Sequence, residues 1–145
     1  MENLYQTLKE KGYRRVKFRV SKTQHLLIKA KINDIEGDFI LDTGASNSCV
    51  GFEGIRHFCL SANDSDTKAA GAGGVGMVTQ TSVKNTLKLG RWSTRNFGLV
   101  IFDMSHVNEA LRQYKAKPVQ GIIGADILLK GKAIIDYYNH CVYLK

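Results

Sequence analysis

The 145-residue chain is long enough for one domain with a sizeable core and short for two. Its 43% hydrophobic and 23% charged residues exclude wholesale disorder. A net charge of +8 suits anionic partners, yet the basic residues are scattered, and even the densest run, Lys9 to Lys17, reads as a solvated surface rather than a nucleic-acid stripe.

Residues 1–20 read as an N-terminal arm or short helix. Leu4 and Leu8 sit four apart, but the segment is too short to be helical on its own strength. The main domain is expected over residues 21–145. In Leu26-Leu27-Ile28-Lys29-Ala30-Lys31-Ile32, positions 26, 28, 30 and 32 are apolar and alternate with Lys29 and Lys31, the period of a strand with one buried face. Asn33 to Gly37 is a turn. Phe39-Ile40-Leu41 then runs apolar without alternation, as a strand buried on both faces does, and leads directly into Asp42-Thr43-Gly44-Ala45-Ser46.

Residues 61–68 are polar and loop-like, and Gly71 to Gly76 is a glycine cluster. Further strands are expected at Met77–Val83, Leu87–Leu89 and Phe97–Phe102. Val107, Ala110, Leu111 and Tyr114 share one helical face, with Asp103 or Ser105 as its cap. Gly121-Ile122-Ile123-Gly124 is a short buried strand, Ala125–Lys130 a brief helix, and Ala133–Tyr137 with Cys141–Leu144 a closing hairpin. The expected fold class is therefore mainly β, one domain with one or two short helices.

The first candidate site is Asp42. An apolar strand seldom ends in a bare carboxylate, because the charge is costly to desolvate unless hydrogen bonds or a partner support it. The glycine two residues on allows a sharp turn. An Asp-Thr-Gly tripeptide by itself reads as an ordinary turn with a local cap. The full string Phe39-Ile40-Leu41-Asp42-Thr43-Gly44-Ala45-Ser46, however, resembles the active-site signature of retropepsins, the single-domain relatives of pepsin. Downstream, Pro118-Val119-Gln120-Gly121-Ile122-Ile123-Gly124-Ala125-Asp126-Ile127-Leu128 resembles the later block of the same family, and the two stand in the family's order. The resemblance covers roughly residues 25–145 and implies an acid-protease β-barrel. Asp42 would be the catalytic residue, Thr43, Gly44, Ala45 and Ser46 would support its loop, and Ile122, Ile123 and Gly124 would buttress it.

The glycine cluster, Gly71-Ala72-Gly73-Gly74-Val75-Gly76, formally satisfies the dinucleotide pattern G-x-G-x-x-G. That motif needs a strand before it and a helix after it, whereas a polar stretch precedes this one and a β-branched run follows. The cluster instead resembles the retropepsin flap, with a plain surface turn as the bland alternative.

Amide hydrolysis by water needs one group to accept a proton from the water and another to donate to the carbonyl. Two carboxylates in contact do both, because they share one proton. No second D-[TS]-G follows: Asp34, Asp103, Asp126 and Asp136 each precede the wrong residue, and Asp126 reads as a helix-start or packing residue. The second carboxylate is therefore expected from a homodimer that sets Asp42 against its own copy. The expected activity is that of an aspartic endopeptidase acting on an extended peptide or protein substrate. A catalytically weak or inactive binding module that keeps the fold is the alternative. The chain departs from the compact viral enzymes by the helix within 103–117, by the hairpin 133–144 where those end in a dimerising strand, and by its N-terminal arm; cellular and bacterial relatives are more similar.

No cofactor and no metal are expected. His57 and Cys59 lack further ligands nearby, and Cys49, Cys59 and Cys141 match no zinc spacing and read as free thiols in a reducing compartment. Trp92 and the tyrosines show no aromatic-basic interleaving, so neither nucleic acid nor membrane is an expected partner. With no run near the ~20 apolar residues of a membrane helix and no signal region, a cytoplasmic location is the expectation.

Overall fold

The computed structural model describes residues 3–64 and 78–145. Its centre is a closed six-stranded barrel. The strand Leu26–Ile32 (β3) buries all its apolar positions and exposes Lys29 and Lys31, as the alternation predicts. Asn33 and Asp34 both take positive φ, 52° and 68°, and form the two-residue turn that pairs Ile32 with Ile35. The returning strand Ile35–Leu41 (β4) runs antiparallel to β3, and it starts earlier than the turn expected over 33–37 allows, because Ile35, Glu36 and Gly37 already pair with Ile32, Lys31 and Ala30.

β4 has its other neighbour far away in sequence. Gly121–Ile123 (β9) lies parallel to it, with Phe39, Ile40 and Leu41 opposite Gly121, Ile122 and Ile123. Gln120 extends the pairing: it donates its N–H to the Asp38 carbonyl at 2.8 Å, and its Oε1 accepts from Asp38 N at 2.6 Å. On the far side of β9 is the two-residue strand Cys49–Val50 (β5), antiparallel to β9 and parallel to Trp92–Ile101 (β8). The long strand Gln80–Leu89 (β7) pairs with β8 and then with β3, through Lys31 with Lys88 and Ile32 with Leu87, which closes the barrel. Arg19–Val20 (β2) adds an edge beside β3, and Asn63–Asp64 (β6) one beside β7.

β7 merges the two strands expected at 77–83 and 87–89. The polar stretch between them reads as a break, but Lys84 takes φ 61° and the register shifts between Ser82 and Asn85, a bulge that keeps the ladder going. Asn85 is buried there because it is satisfied: its Nδ2 donates to Ser82 Oγ and to the Phe97 carbonyl, and its Oδ1 accepts from Asn33. β8 starts earlier than expected, at Trp92, because Gly90 at φ 57° makes a two-residue turn from Leu89.

Two apolar layers sandwich the β4–β9 region. Ile28, Phe39, Leu41, Leu87, Ile101, Ile123 and Ile127 belong to the barrel core. Leu27, Ile40, Cys49 and Ile122 face outward into a smaller cluster, covered by Leu111 and Val119. Leu111 belongs to the helix Ser105–Gln113 (α3), whose start is held by Asp103 accepting from Ser105 N at 2.8 Å. Ala125–Lys130 (α4) forms as expected. Leu4–Glu10 (α1) and Glu53–His57 (α2) bring the described helices to four, and α2 is too short to leave a periodic trace in the sequence.

A second sheet lies beside the barrel. Ile134–Asp136 (β10) and Cys141–Leu144 (β11) form the expected hairpin, its turn held by Asp136 accepting from Asn139. The other side of β11 pairs with Arg14–Lys17 (β1), so both edges of the C-terminal strand are occupied within one chain. Among the described residues, no helix is long and apolar enough to cross a membrane.

Gly121 marks the tightest crossing in the barrel. A Cβ there would stand 2.1 Å from the Cys49 carbonyl oxygen, and a backbone atom cannot swing aside. Gly121→Ala is expected to force β5 and β9 apart and cost about 2–3 kcal/mol, read as a lowered urea midpoint. Gly98→Ala, whose Cβ would meet nothing closer than 3.9 Å, is the matched control and is expected to fall within about 0.5 kcal/mol of the parent.

Candidate active site

Leu41 is the last residue of β4, and Asp42 is the first to leave the barrel. Asp42 donates its N–H to the Ile123 carbonyl at 2.9 Å, so the parallel β4–β9 pairing is carried one residue past the strand end. The chain then turns tightly. Ala45 N donates to the Asp42 carbonyl at 3.2 Å, and Gly44 N donates to Asp42 Oδ1 at 2.8 Å. One carboxylate oxygen is thereby fixed by the loop's own backbone. Asp42 is half-buried, and Thr43, Gly44 and Ser46 are exposed.

The loop is gripped from behind by the segment that follows β9. Ala125 N donates to the Ala45 carbonyl at 2.7 Å. Gly124 approaches so closely that a Cβ would lie 2.6 Å from that same oxygen, so only glycine fits. Ser48, fully buried, completes the bracket. Its N–H lies 3.0 Å from both oxygens of Asp126, its hydroxyl donates to Asp126 Oδ1 at 2.7 Å, and its Oγ accepts from Gly124 N at 2.8 Å. Asp126 Oδ1 also accepts from Ile127 N at 2.9 Å in the first turn of α4.

The residues singled out in the sequence thus converge. Asp42, Thr43, Gly44, Ala45 and Ser46 form one turn; Ile122 and Ile123 lie on the two faces of the adjacent strand, and Gly124 touches the turn. Asp126 stands at the helix start, and the bonds that tie it to Ser48 are additional. Ser48 carried no signal, because its partners lie 76 and 78 residues away. Gly71, Ala72, Gly73, Gly74, Val75 and Gly76 lie outside the described residues.

The other aspartates considered as partners are engaged elsewhere. Asp34 binds Lys88 at 2.8 Å, Asp103 caps α3 and Asp136 holds the hairpin turn. Each is held below the usual carboxylate range: Asp34 by Lys88, Asp103 by the Ser105 hydroxyl and amide, Asp136 by Asn139. They are structural anions. Cys49, two strands in from the loop, is pushed up to about 12, chiefly by burial and further by the charges of Asp126 and Asp42. It stays a thiol at neutral pH and is no nucleophile.

Comparison with known proteins bears on the fold and the family. A search of curated proteins returns no match. Among solved structures, the fold is similar to a retropepsin-like aspartic protease from Rickettsia conorii, with a TM-score of 0.60 at 14% identity, covering 91% of this chain and 89% of that one. It is also similar to the EIAV protease complexed with an inhibitor, with a TM-score of 0.55 at 21% identity over 77% and 91% of the two chains. The retroviral protease-like domain of Ddi1 from Leishmania major gives 0.56 at 15% identity over 83% and 88%. The family model described as aspartyl protease matches residues 28–127, a span that runs from β3 through the Asp42 turn to the first turn of α4. The chain belongs to the aspartyl protease family, with a retropepsin-like fold.

Proposed function

We propose that the protein is an aspartic endopeptidase that works as a homodimer, with two copies of Asp42 sharing one proton and activating a water between them. The observation that carries this reading is the double anchoring of the Asp42 turn, which bonds to Ile123 on one side and to Ala125 on the other while Asp42 Oδ1 accepts from Gly44 N; among the described residues, no second aspartate stands in a turn tied in this way. One aspartate cannot serve at once as base toward water and as acid toward the amide carbonyl. Two in contact can, since both do not ionise together, and the pair titrates as a unit. The Thr43 side chain is exposed and makes no hydrogen bond to the described residues, which leaves its hydroxyl free to bond across the two-fold axis. The substrate is an extended peptide, bound by main-chain hydrogen bonds beside the paired loops.

The partner copy does not enter through the C-terminal strand, because β1 and β10 flank β11 in the same chain. The surface beside the Asp42 turn is the alternative. Ala125, bonded to that turn, has Leu129 one helical turn beyond it on the same face of α4, and Leu129 is 79% exposed. Two such side chains meeting at a two-fold axis would bury apolar area beside the carboxylates.

Asp42→Asn is expected to lower kcat/KM on a cleavable peptide at least about 100-fold while leaving the melting midpoint and the sedimentation coefficient unchanged. Cleavage that survives this change would refute the mechanism. Leu129→Glu, at an exposed site, is expected to shift the protein to monomer in sedimentation and to remove activity with it; a fully active monomer would exclude the paired site. Ser48→Ala leaves the Gly124 amide and Asp126 each short of a bond. It is expected to lower stability by about 1–3 kcal/mol and to reduce kcat more than it raises KM, because the Asp42 turn loosens.

A further inference from the structure

A basic groove lies on the outside of the barrel, away from the Asp42 turn's own contacts. It has a volume of about 510 Å3 and runs between the β2 edge and the segment that follows α3. Its floor is Leu27 and Val119. Its rims carry four cations, Arg19 and Lys22 on one side and Lys115 and Lys117 on the other. None of these four has an ion-pair partner among the described residues. Lys29 and Asp38, also in the lining, pair with each other at 2.9 Å, and Glu36 takes a second bond from Lys29. The one carboxylate in the groove lining is thus bonded to Lys29, and the four rim cations are left without a carboxylate partner among the described residues.

Two further features tell a peptide from other anions. Val20 and Tyr114 present apolar surface in the groove, 41% and 57% exposed. β2 is also the end strand of its sheet. Ser21 N bonds back to the His25 carbonyl, so by antiparallel alternation Val20 is the residue whose N–H and C=O point away from β3. An extended chain can dock on that edge through its backbone, a binding mode closed to a nucleic acid.

Position links the groove to the cleavage site. Val20 pairs with Leu26 and Leu26 with Leu41, the residue before Asp42. Two strand spacings put the Val20 backbone about 10 Å from that of Leu41, a separation that about three residues of extended peptide cover.

We propose that this groove binds an acidic, extended segment of the polypeptide substrate, with its carboxylates against Arg19, Lys22, Lys115 and Lys117 and its main chain along the edge of β2. Calling the bound segment substrate rests on the protease reading; the binding itself does not depend on Asp42.

The test uses the full chain carrying Asp42→Asn and a short fluorescein-labelled peptide alternating glutamate with valine, followed by anisotropy. The acidic peptide is expected to bind, to weaken as salt rises, and to outbind its glutamine-valine counterpart at least tenfold. Arg19→Glu with Lys117→Glu is expected to reverse that preference, so that a lysine-valine peptide binds instead; this gain also shows that the variant is folded. Lys22→Gln with Lys115→Gln, a milder change, is expected to weaken the acidic peptide severalfold. With Asp42 intact, an acidic extension on a cleavable peptide is expected to lower KM and leave kcat unchanged. Equal binding of the acidic and glutamine peptides, or equal binding by parent and charge-reversed protein, would overturn the proposal. So would an oligonucleotide of matched charge that binds more tightly through the same residues. If the acidic peptide binds as expected but nothing is cleaved, the groove assignment stands and the protease reading falls.

Discussion

Everything at the candidate active site depends on the bracket between Ser48 and Asp126. A loop that leaves a barrel at the end of a strand would ordinarily be free to move, and a mobile carboxylate is a poor acid or base because its geometry is not maintained. Here the far end of the loop is tied down by a charge-assisted cluster. The Asp126 carboxylate receives the Ser48 amide, the Ser48 hydroxyl and the Ile127 amide, while the Ser48 oxygen accepts from Gly124. Bonds to an ionised acceptor are the stronger kind, and burial of Ser48 raises the penalty for breaking any one of them. Gly124 makes the bracket possible, since a side chain there would collide with the Ala45 carbonyl.

The bracket works because the parallel β4–β9 pairing puts its two halves side by side. Ile122 and Ile123 point to opposite faces of β9, one into the outer cluster and one into the barrel core. The strand behind the Asp42 turn is therefore held by packing on both faces and by hydrogen bonds at both edges. The rigidity is built into the floor of the site, whereas the turn's outer face, Thr43 and Gly44, is left to solvent. That division suits a loop whose remaining bonds are to be made with another molecule.

The second sheet closes the C-terminal strand within the chain. With β11 enclosed by β1 and β10, one chain satisfies the backbone of its own C-terminal strand and presents no open ladder there. On the proposed reading the chain folds alone and becomes chemically complete only on pairing. Its basic rim stays outside that pairing surface, beside the β2 edge, and is left without a carboxylate partner among the described residues, since the nearby Asp38 is bonded to Lys29.

The sequence by itself determined what local pattern can encode. The alternation in Leu26–Ile32, a turn beginning at Asn33, the apolar run into Asp42 and the Ile-Ile-Gly block before α4 are all visible within a few residues, and together they point to the fold class and its candidate acid. Tertiary structure alone decided the features whose partners are remote. β5, two residues long, has no period and exists because β8 and β9 lie on either side of it. The polar stretch Lys84–Thr86 stays within a strand because Asn33 and Phe97 satisfy Asn85. Ser48 reads as one serine among several until Asp126 arrives from 78 residues away. In each case a polar or short segment gains its role from hydrogen bonds that only the closed barrel supplies, and no local periodicity can announce them.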